Sequence, residues 1–401
     1  MATLRPRDDS RLPKNLRFFM LKVLHFYKTY YPDTFGGVEQ VIFQLSETVS
    51  GRDISVTTLT LTPRGNIDAG VVGSHSSYYS KTSFEVASTP FSFNAIKKFR
   101  KLAEQADIIH YHFPYPFMDI LHFISGVRKP SIVSYHSDIV KQKFALKIYS
   151  PLMNKFLSSV DYIVASSPNY LASSSTLQKF SSKVKVIPYG LDRNLYQSVG
   201  AERLDYWRKR LGERFFLFVG AFRYYKGLDV LLNAMEGVDY PLAIVGIGSL
   251  ESELRKQAED LGLKNTHFLG LLSEEDKIAL LQLCCGVVFP SHLRSEAFGI
   301  TLLEGAMYAK PLISCEIGTG TTYINIDGET GIVVPPEDPG ALRLAMTTLW
   351  ENPLLAKDYG EKALARFNRL FTSEKMAQSY IELYQEAMEN RTVSDHDPID
   401  E

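Results

Sequence analysis

Cysteine is scarce in this chain. There are three in 401 residues, Cys284, Cys285 and Cys315, all in apolar or strand-like surroundings and none at a metal-ligand spacing. The adjacent Cys284 and Cys285 read as small core residues, and the low cysteine usage points to a reducing, cytosolic home. No apolar run reaches the roughly 18 residues that a membrane span needs. The first nineteen residues, MATLRPRDDSRLPKNLRFF, hold five Arg/Lys and two Asp but lack the apolar core of a signal peptide. They read as a disordered or non-native extension, with the fold beginning near Met20.

What the chain does have is an ordinary globular composition, 45% hydrophobic and 22% charged. Its length suggests two domains. The net charge of −1 hides a division. Residues 1–200 carry 24 Lys/Arg against 14 Asp/Glu, a net of +10, and residues 201–401 carry 20 against 31, a net of −11. A basic half joined to an acidic half suggests that one domain faces an anionic partner.

Short β-rich apolar runs alternate with helical patterns along both halves. In the first half they are LKVLHFY (21–27), ISVTTLTL (54–61), ADIIHYH (106–112), PSIVSYH (130–136), DYIVAS (161–166) and VKVIPYG (184–190). In the second they are FFLFVGA (215–221), PLAIVG (241–246), THFLG (266–270), GVVFPS (286–291), KPLIS (310–314) and TGIVVPP (330–336). This alternation predicts βαβ units on parallel sheets, covered on both faces. The fold class is therefore α/β, two doubly wound Rossmann-like domains facing a cleft. We expect the domains at 20–200 and 201–375, a helix over 376–390 that braces the first domain, and a disordered acidic tail at 391–401.

Open parallel sheets bind ligands at the carboxyl ends of their strands. The first strand leads into Gly36-Gly37 just before a helix, where backbone N–H groups can approach an anion. The segment is neither a GxGxxG fingerprint nor a P-loop. The third strand ends in HYHFPYP, with His110 and His112 on one face, and the fourth ends in SYHSD, with His136 and Asp138. Two alternating histidines without a third ligand at a useful spacing point to polar contacts at a cleft more than to a metal. In the second half, Arg223 and Lys226 follow a strand and precede a helix, placed to neutralise a diphosphate. The turn at Gly246 and Gly248 also leads into a helix.

The stretch SEAFGITLLEGAMYAKPL holds Glu296 and Glu304, eight apart. That spacing recurs at Glu39/Glu47, Glu251/Glu259, Glu329/Glu337 and Glu374/Glu382, so alone it carries nothing. Context separates this pair. Glu296 falls in a strand-to-helix loop and Glu304 inside the helix that follows. The N–H groups of Phe298, Gly299 and Ile300 fall at the helix start, open to hydroxyls or phosphate.

In order, GGVEQ, HxH, SYHSD, IPYGLD, KGLD, VGIG, SEAFGITLLEGAMYAKPL and DGETGIVVPP resemble the retaining GT-B glycosyltransferases of family 4, over about residues 21–388. The pieces HFYKTYYPDTFGGVEQ, FRYYKGLD and IGTGTTYIN most resemble bacterial O-polysaccharide mannosyl- and rhamnosyltransferases, which use GDP-sugars. The resemblance implies that Glu304 holds the ribose and that Glu296, with the N–H groups of residues 298–300, holds the donor sugar. Lys226 and Arg223 would bind the diphosphate, with Gly246 and Gly248 also on the donor side. Gly36 and Gly37 would approach the phosphate or the acceptor. His136 would contact the sugar near its reacting carbon, and His110, His112 and Asp138 would lie on the acceptor side. The family usually reads V-G-R-L before its lysine. Here Ala221 replaces the arginine, and Arg223 stands two residues on.

The resemblance further implies a hexose, mannose or rhamnose, moved with retained configuration from a nucleotide sugar to a lipid-diphosphate-linked saccharide. It implies no cofactor and no nucleic acid. It also implies no metal, since the only Asp-x-Asp, Asp395-His396-Asp397, lies in the polar tail. A basic acceptor domain, including Lys97, Lys98, Arg100 and Lys101, fits a peripheral enzyme at the anionic inner face of the cytoplasmic membrane. The alternatives are another GT-B enzyme, such as a sugar-nucleotide epimerase, a phosphorylase or a UDP-sugar transferase, or a non-catalytic nucleotide-sugar-binding protein.

Overall fold

The computed structural model describes residues 20–64, 68–86, 89–139 and 143–394. The first nineteen residues and Asp395-His396-Asp397 lie outside them. The first half contains β1 (Leu21–Phe26), β2 (Ile54–Thr62), β3 (Ala69–Val72) and β4 (His75–Lys81), then the small hairpin β5 (Phe84–Val86) and β6 (Thr89–Phe91). It continues with β7 (Ile108–Phe113), β8 (Ser131–Tyr135), β9 (Tyr162–Ala165) and β10 (Val184–Val186). The second half contains β11 (Phe216–Val219), β12 (Leu242–Val245), β13 (Thr266–Gly270), β14 (Gly286–Phe289), β15 (Leu312–Cys315) and β16 (Gly331–Val334).

All twelve apolar runs named from the sequence are strands. The first sheet has the order β10-β9-β8-β7-β1-β2-β4-β3, parallel except for β3. The second has the order β13-β12-β11-β14-β15-β16 and is parallel throughout. The latter is the doubly wound order in which the chain starts centrally and reverses direction once. Strands β3 to β6 were not anticipated. HSSYYSK is polar and carries no apolar run, and it joins the sheet through parallel backbone pairing with β2. The central strands are buried on both faces. IIHYHF of β7 and SIVSY of β8 have no exposed position.

The cysteines are free; Cys284 and Cys315 are buried, and burial pushes both thiols up, to about 11 and about 12. Such thiols stay protonated, as small core residues do.

The final helix runs Ser373–Ser394, beginning before the expected boundary at 376 and continuing into residues expected to be tail. It packs against the helix Gly37–Val49 of the first domain. Its tyrosines reach into that domain, Tyr384 Oη to His110 Nδ1 at 2.8 Å and Tyr380 Oη to Ser134 Oγ at 2.7 Å. The two chain crossings between domains touch. Leu191 N–H donates to Phe371 O and Ser373 N–H donates to Leu191 O, both at 3.0 Å. A side chain at Gly190 would collide with the Thr372 carbonyl. Gly190→Ala should therefore lower stability by about 1–3 kcal/mol in chemical denaturation, the usual range for forcing an extra carbon into packed structure.

Candidate functional site

In each sheet the winding reverses between two central strands, and ligands of such sheets sit at that reversal. In the second sheet these strands are β11 and β14. Lys226 follows the first and Glu296 the second. Their side chains meet, Lys226 Nζ to Glu296 Oε2 at 2.5 Å, with Ser291 Oγ donating to the same oxygen at 3.3 Å. Gly227 adopts φ +67°, and its lack of a side chain lets this turn lie directly on the Pro290 carbonyl. His292 N–H also donates to Tyr225 O at 3.0 Å, joining the two loops.

Gly299, at φ +103°, opens the helix Ile300–Met307, leaving the first N–H groups without intrahelical acceptors. Phe298 is buried against Tyr189, ring centroids 4.8 Å apart. Glu304 is buried one turn further on. Its Oε1 accepts from Tyr196 Oη and from Lys277 Nζ, each at 3.0 Å. Burial works against the Lys277 charge, yet Glu304 and Glu274 together hold its pKa above the ordinary lysine value. Tyr196 Oη in turn accepts from Gln40 Nε2 of the first domain at 2.6 Å.

In the first sheet the reversal lies between β1 and β7. The turn after β1 carries Gly36-Gly37 to the other wall of the cleft, where a side chain at Gly37 would come 3.9 Å from Ile300 Cγ1. Glu39 folds back beside Gly36, and its Oε1 accepts from Thr29 and Thr34 hydroxyls at 2.7 and 2.8 Å. Lys28 follows β1 directly. Burial chiefly depresses its pKa; Glu39 raises it and the nearby charge of Arg223 lowers it. Arg223 is exposed. Three cations from both domains, Lys28, Arg223 and Lys226, thus converge where the two reversals face each other.

Two family models match in tandem, "Glycosyltransferase Family 4" over residues 35–195 and "Glycosyl transferases group 1" over residues 204–366. The chain is 56% identical to D-rhamnosyltransferase WbpZ of Pseudomonas aeruginosa, over 88% of this chain and 93% of that protein. It is 53% identical to O-antigen chain mannosyltransferase C of Escherichia coli, over 93% of this chain and all (100%) of that protein. The chain belongs to the family 4 glycosyltransferases. Among solved structures, sucrose-phosphate synthase from Thermosynechococcus elongatus superposes with a TM-score of 0.76 at 20% identity, covering 91% of this chain and 98% of that one. That likeness is one of fold, the two-domain GT-B architecture.

Within this glycosyltransferase, Lys226, Glu296, Glu304, Phe298, Gly299, Ile300, Gly36, Gly37 and Arg223 all lie around the cleft. Gly246 and Gly248 sit one strand away. Side chains there would strike the Gly220 carbonyl and the Phe222 backbone, so these glycines let the loops after β11 and β12 lie together.

The histidines require correction. His110 and His112 are fully buried and do not form an acceptor surface. His110 bonds Tyr384 and, through Nε2, Ser134 Oγ at 2.7 Å. His25 on β1 supplies a third ring beside them, close enough for the three to offer nitrogens to one point. That third residue is distant in sequence and becomes a neighbour only because β1 pairs with β7. The rings are hydrogen-bonded in series: His25 Nδ1 to His112 Nε2 at 2.9 Å, His112 Nδ1 to His136 Nε2 at 2.9 Å, and His136 Nδ1 to Tyr189 Oη at 2.6 Å. Both nitrogens of His136 are thus engaged inside the protein, and its ring is buried. Asp138 likewise does not stand free on an acceptor surface, because it binds Arg294 of the second domain.

Sequence reading passed over Lys28, Gln40, Tyr196, Lys277 and Arg294. Lys28 and Arg294 sit in strand-end segments that could have flagged them. Gln40 and Lys277 are ordinary helix positions whose role depends on the opposite wall.

Burial holds the His25 and His136 imidazoles down, each to about 3, against an unfolded value near 6.5. Between those values the unfolded chain binds protons that the folded one refuses, so stability falls as pH drops through 6.5. Each imidazole should cost about 1.4 kcal/mol at pH 5.5 relative to pH 7.5. Denaturant unfolding should weaken markedly over that interval, where carboxylates barely titrate, and stay flat from pH 7.5 to 8.5.

Proposed function

We propose that this glycosyltransferase moves mannose or D-rhamnose, with retained configuration, from a GDP-linked donor to a lipid-diphosphate-linked saccharide in O-antigen assembly. The two relatives above 50% identity support the hexose and the pathway. The site arrangement that carries the mechanism is the pairing of Lys226 with Glu296 at the strand reversal, one cation and one carboxylate held 2.5 Å apart.

A bound nucleotide sugar would exchange that internal ion pair for two external contacts. Lys226 would turn to the diphosphate, assisted by Arg223 and Lys28, and Glu296 would accept from sugar hydroxyls. Glu304, fixed on one oxygen by Tyr196 and Lys277, would present the carboxylate to the ribose. The acceptor oxygen would then attack the anomeric carbon on the face the diphosphate leaves. The bond from that carbon to the phosphate oxygen breaks, and the acceptor proton passes to the departing phosphate. Cationic side chains neutralise the leaving group, so the reading assigns no metal and no cofactor.

No helix among the described residues is long and apolar enough to cross a membrane. A peripheral attachment is supported by the first domain's exposed Phe84, Val86 and Phe93 beside exposed Lys97 and Lys101. Lys98 contributes less, since it is paired with Asp68, and Arg100 is bonded to the Ile124 carbonyl. The protein should float with liposomes containing anionic lipid and remain behind with neutral ones; failure in both would remove the membrane from the proposal.

Donor identity is tested by thermal shift with GDP, UDP and ADP sugars, since a ligand that binds only the native state raises its melting temperature. GDP-mannose or GDP-rhamnose should give the largest rise, and a larger rise with a UDP sugar would overturn the donor assignment. In calorimetry Glu304→Gln should weaken GDP binding about tenfold, the worth of a hydrogen bond to a charged group. Glu296→Gln should leave GDP binding nearly intact while lowering transfer. Lys226→Ala should cost about a hundredfold in kcat, as losing one leaving-group stabiliser does elsewhere, and Arg223→Ala should cost less.

A further inference from the structure

The loop that carries Glu296, residues 291–299, also carries Arg294, whose side chain leaves its own domain. Its Nη2 donates to Asp138 Oδ2 at 3.0 Å, and its Nη1 donates to the Gly318 carbonyl at 3.1 Å. Its guanidinium lies 5.3 Å from the Tyr170 ring centroid. Asp138 and Tyr170 belong to the first domain; Gly318 belongs to the second.

Asp138 is prepared for this contact. Its Oδ1 accepts from Tyr135 Oη at 2.9 Å and Ser174 Oγ at 2.7 Å, and its backbone N–H is bonded to Tyr170 Oη. One carboxylate oxygen is thus fixed by first-domain hydroxyls and the other is left for the arginine. The same seam holds a hydrogen bond from Ser173 Oγ to the Gly318 carbonyl, and another from Asn169 Nδ2 to Thr322 Oγ1 at 3.2 Å. The pair is partly shielded, with 30% and 20% of the side chains exposed. A forked arginine in such a place fixes orientation, since two donors on a rigid plane allow one geometry.

We propose that Arg294 is a positioning residue for glycosyl transfer: by bridging Asp138 and Gly318 across the closed cleft, it holds the loop that places Glu296 over the donor sugar. This rests on the proposed role of Glu296 at the sugar. It assigns Arg294 no contact with the donor, because both arms of its guanidinium are already engaged. The consequence is order. The sugar loop is complete only when the first domain is closed on the second, so turnover depends on a contact between the two domains.

The test is a double-mutant cycle of Arg294→Gln, Asp138→Asn and both together, read by kcat for transfer, by GDP affinity in calorimetry and by thermal melts. Each single variant should lower kcat about tenfold, within the range that misplacing a reacting group costs. GDP affinity should stay within twofold. The double variant should be no slower than the slower single one, because both remove the same contact. Arg294→Lys, which keeps the charge but not the fork, should fall between wild type and Arg294→Gln. Loss of GDP affinity would make Arg294 a donor ligand and overturn the proposal. Additive losses in kcat would also overturn it, as would a lowered melting temperature with unchanged kcat. If the wild-type protein transfers no sugar from any nucleotide donor, the proposed function fails; if it transfers and the variants match it, only this inference fails.

Discussion

Two chain crossings, pinned to each other at Leu191 and Thr372, hold two parallel sheets with their strand ends face to face. Everything in the cleft depends on that contact. A single tether would leave the domains free to rotate, and residues such as Gln40 and Glu304, on helices of different domains, would not share a hydrogen-bonded path through Tyr196. The return helix Ser373–Ser394 adds two tyrosines to the interior of the first domain, so its docking is specific as well as apolar.

Once the sheets face each other, the cleft must balance its own charge. Lys226 pairs with Glu296, Lys277 with Glu304 and Arg294 with Asp138. Each pair links elements far apart in the chain, and the third links the domains. Partly buried pairs of this kind contribute little net stability, because desolvation offsets attraction. Their value is in position. They keep three cations and three carboxylates extended into a narrow space, each held by a partner of opposite charge. The pairing preserves charge balance in a low-dielectric cleft, where an unpaired ion would be costly.

The strands, their alternation and the two-domain plan were legible because burial on both faces demands continuous apolar runs. The ends of those strands were legible too, since Lys226, Glu296 and the paired glycines occupy the turns that must follow β11, β14 and β1. Three kinds of information were not available in the sequence. HSSYYSK becomes a strand by backbone pairing with β2, which has no side-chain signature. The rings of His110 and His112 were expected at the acceptor side, yet neighbouring β1 and β8 and the return helix enclose them, a matter of tertiary packing. Tyr196 and Gln40 act through partners more than a hundred residues away, so no local pattern marks them.

The enclosed histidines also show how strand order can link buried rings in series. Three neutral rings and one phenol in series can be polarised in two directions. In one, each imidazole carries its proton on Nδ1 and donates forward, from His25 to His112, to His136, to Tyr189. In the other each carries it on Nε2 and donates backward. The two differ at the end of the string, because His25 Nε2 is buried with no partner among the described residues. The forward arrangement leaves a lone pair on that atom; the backward one leaves an N–H. In the forward arrangement His136 donates to Tyr189, whose ring packs on Phe298 at the start of the helix Ile300–Met307. The string thus joins β1 to the start of the helix Ile300–Met307 through buried rings.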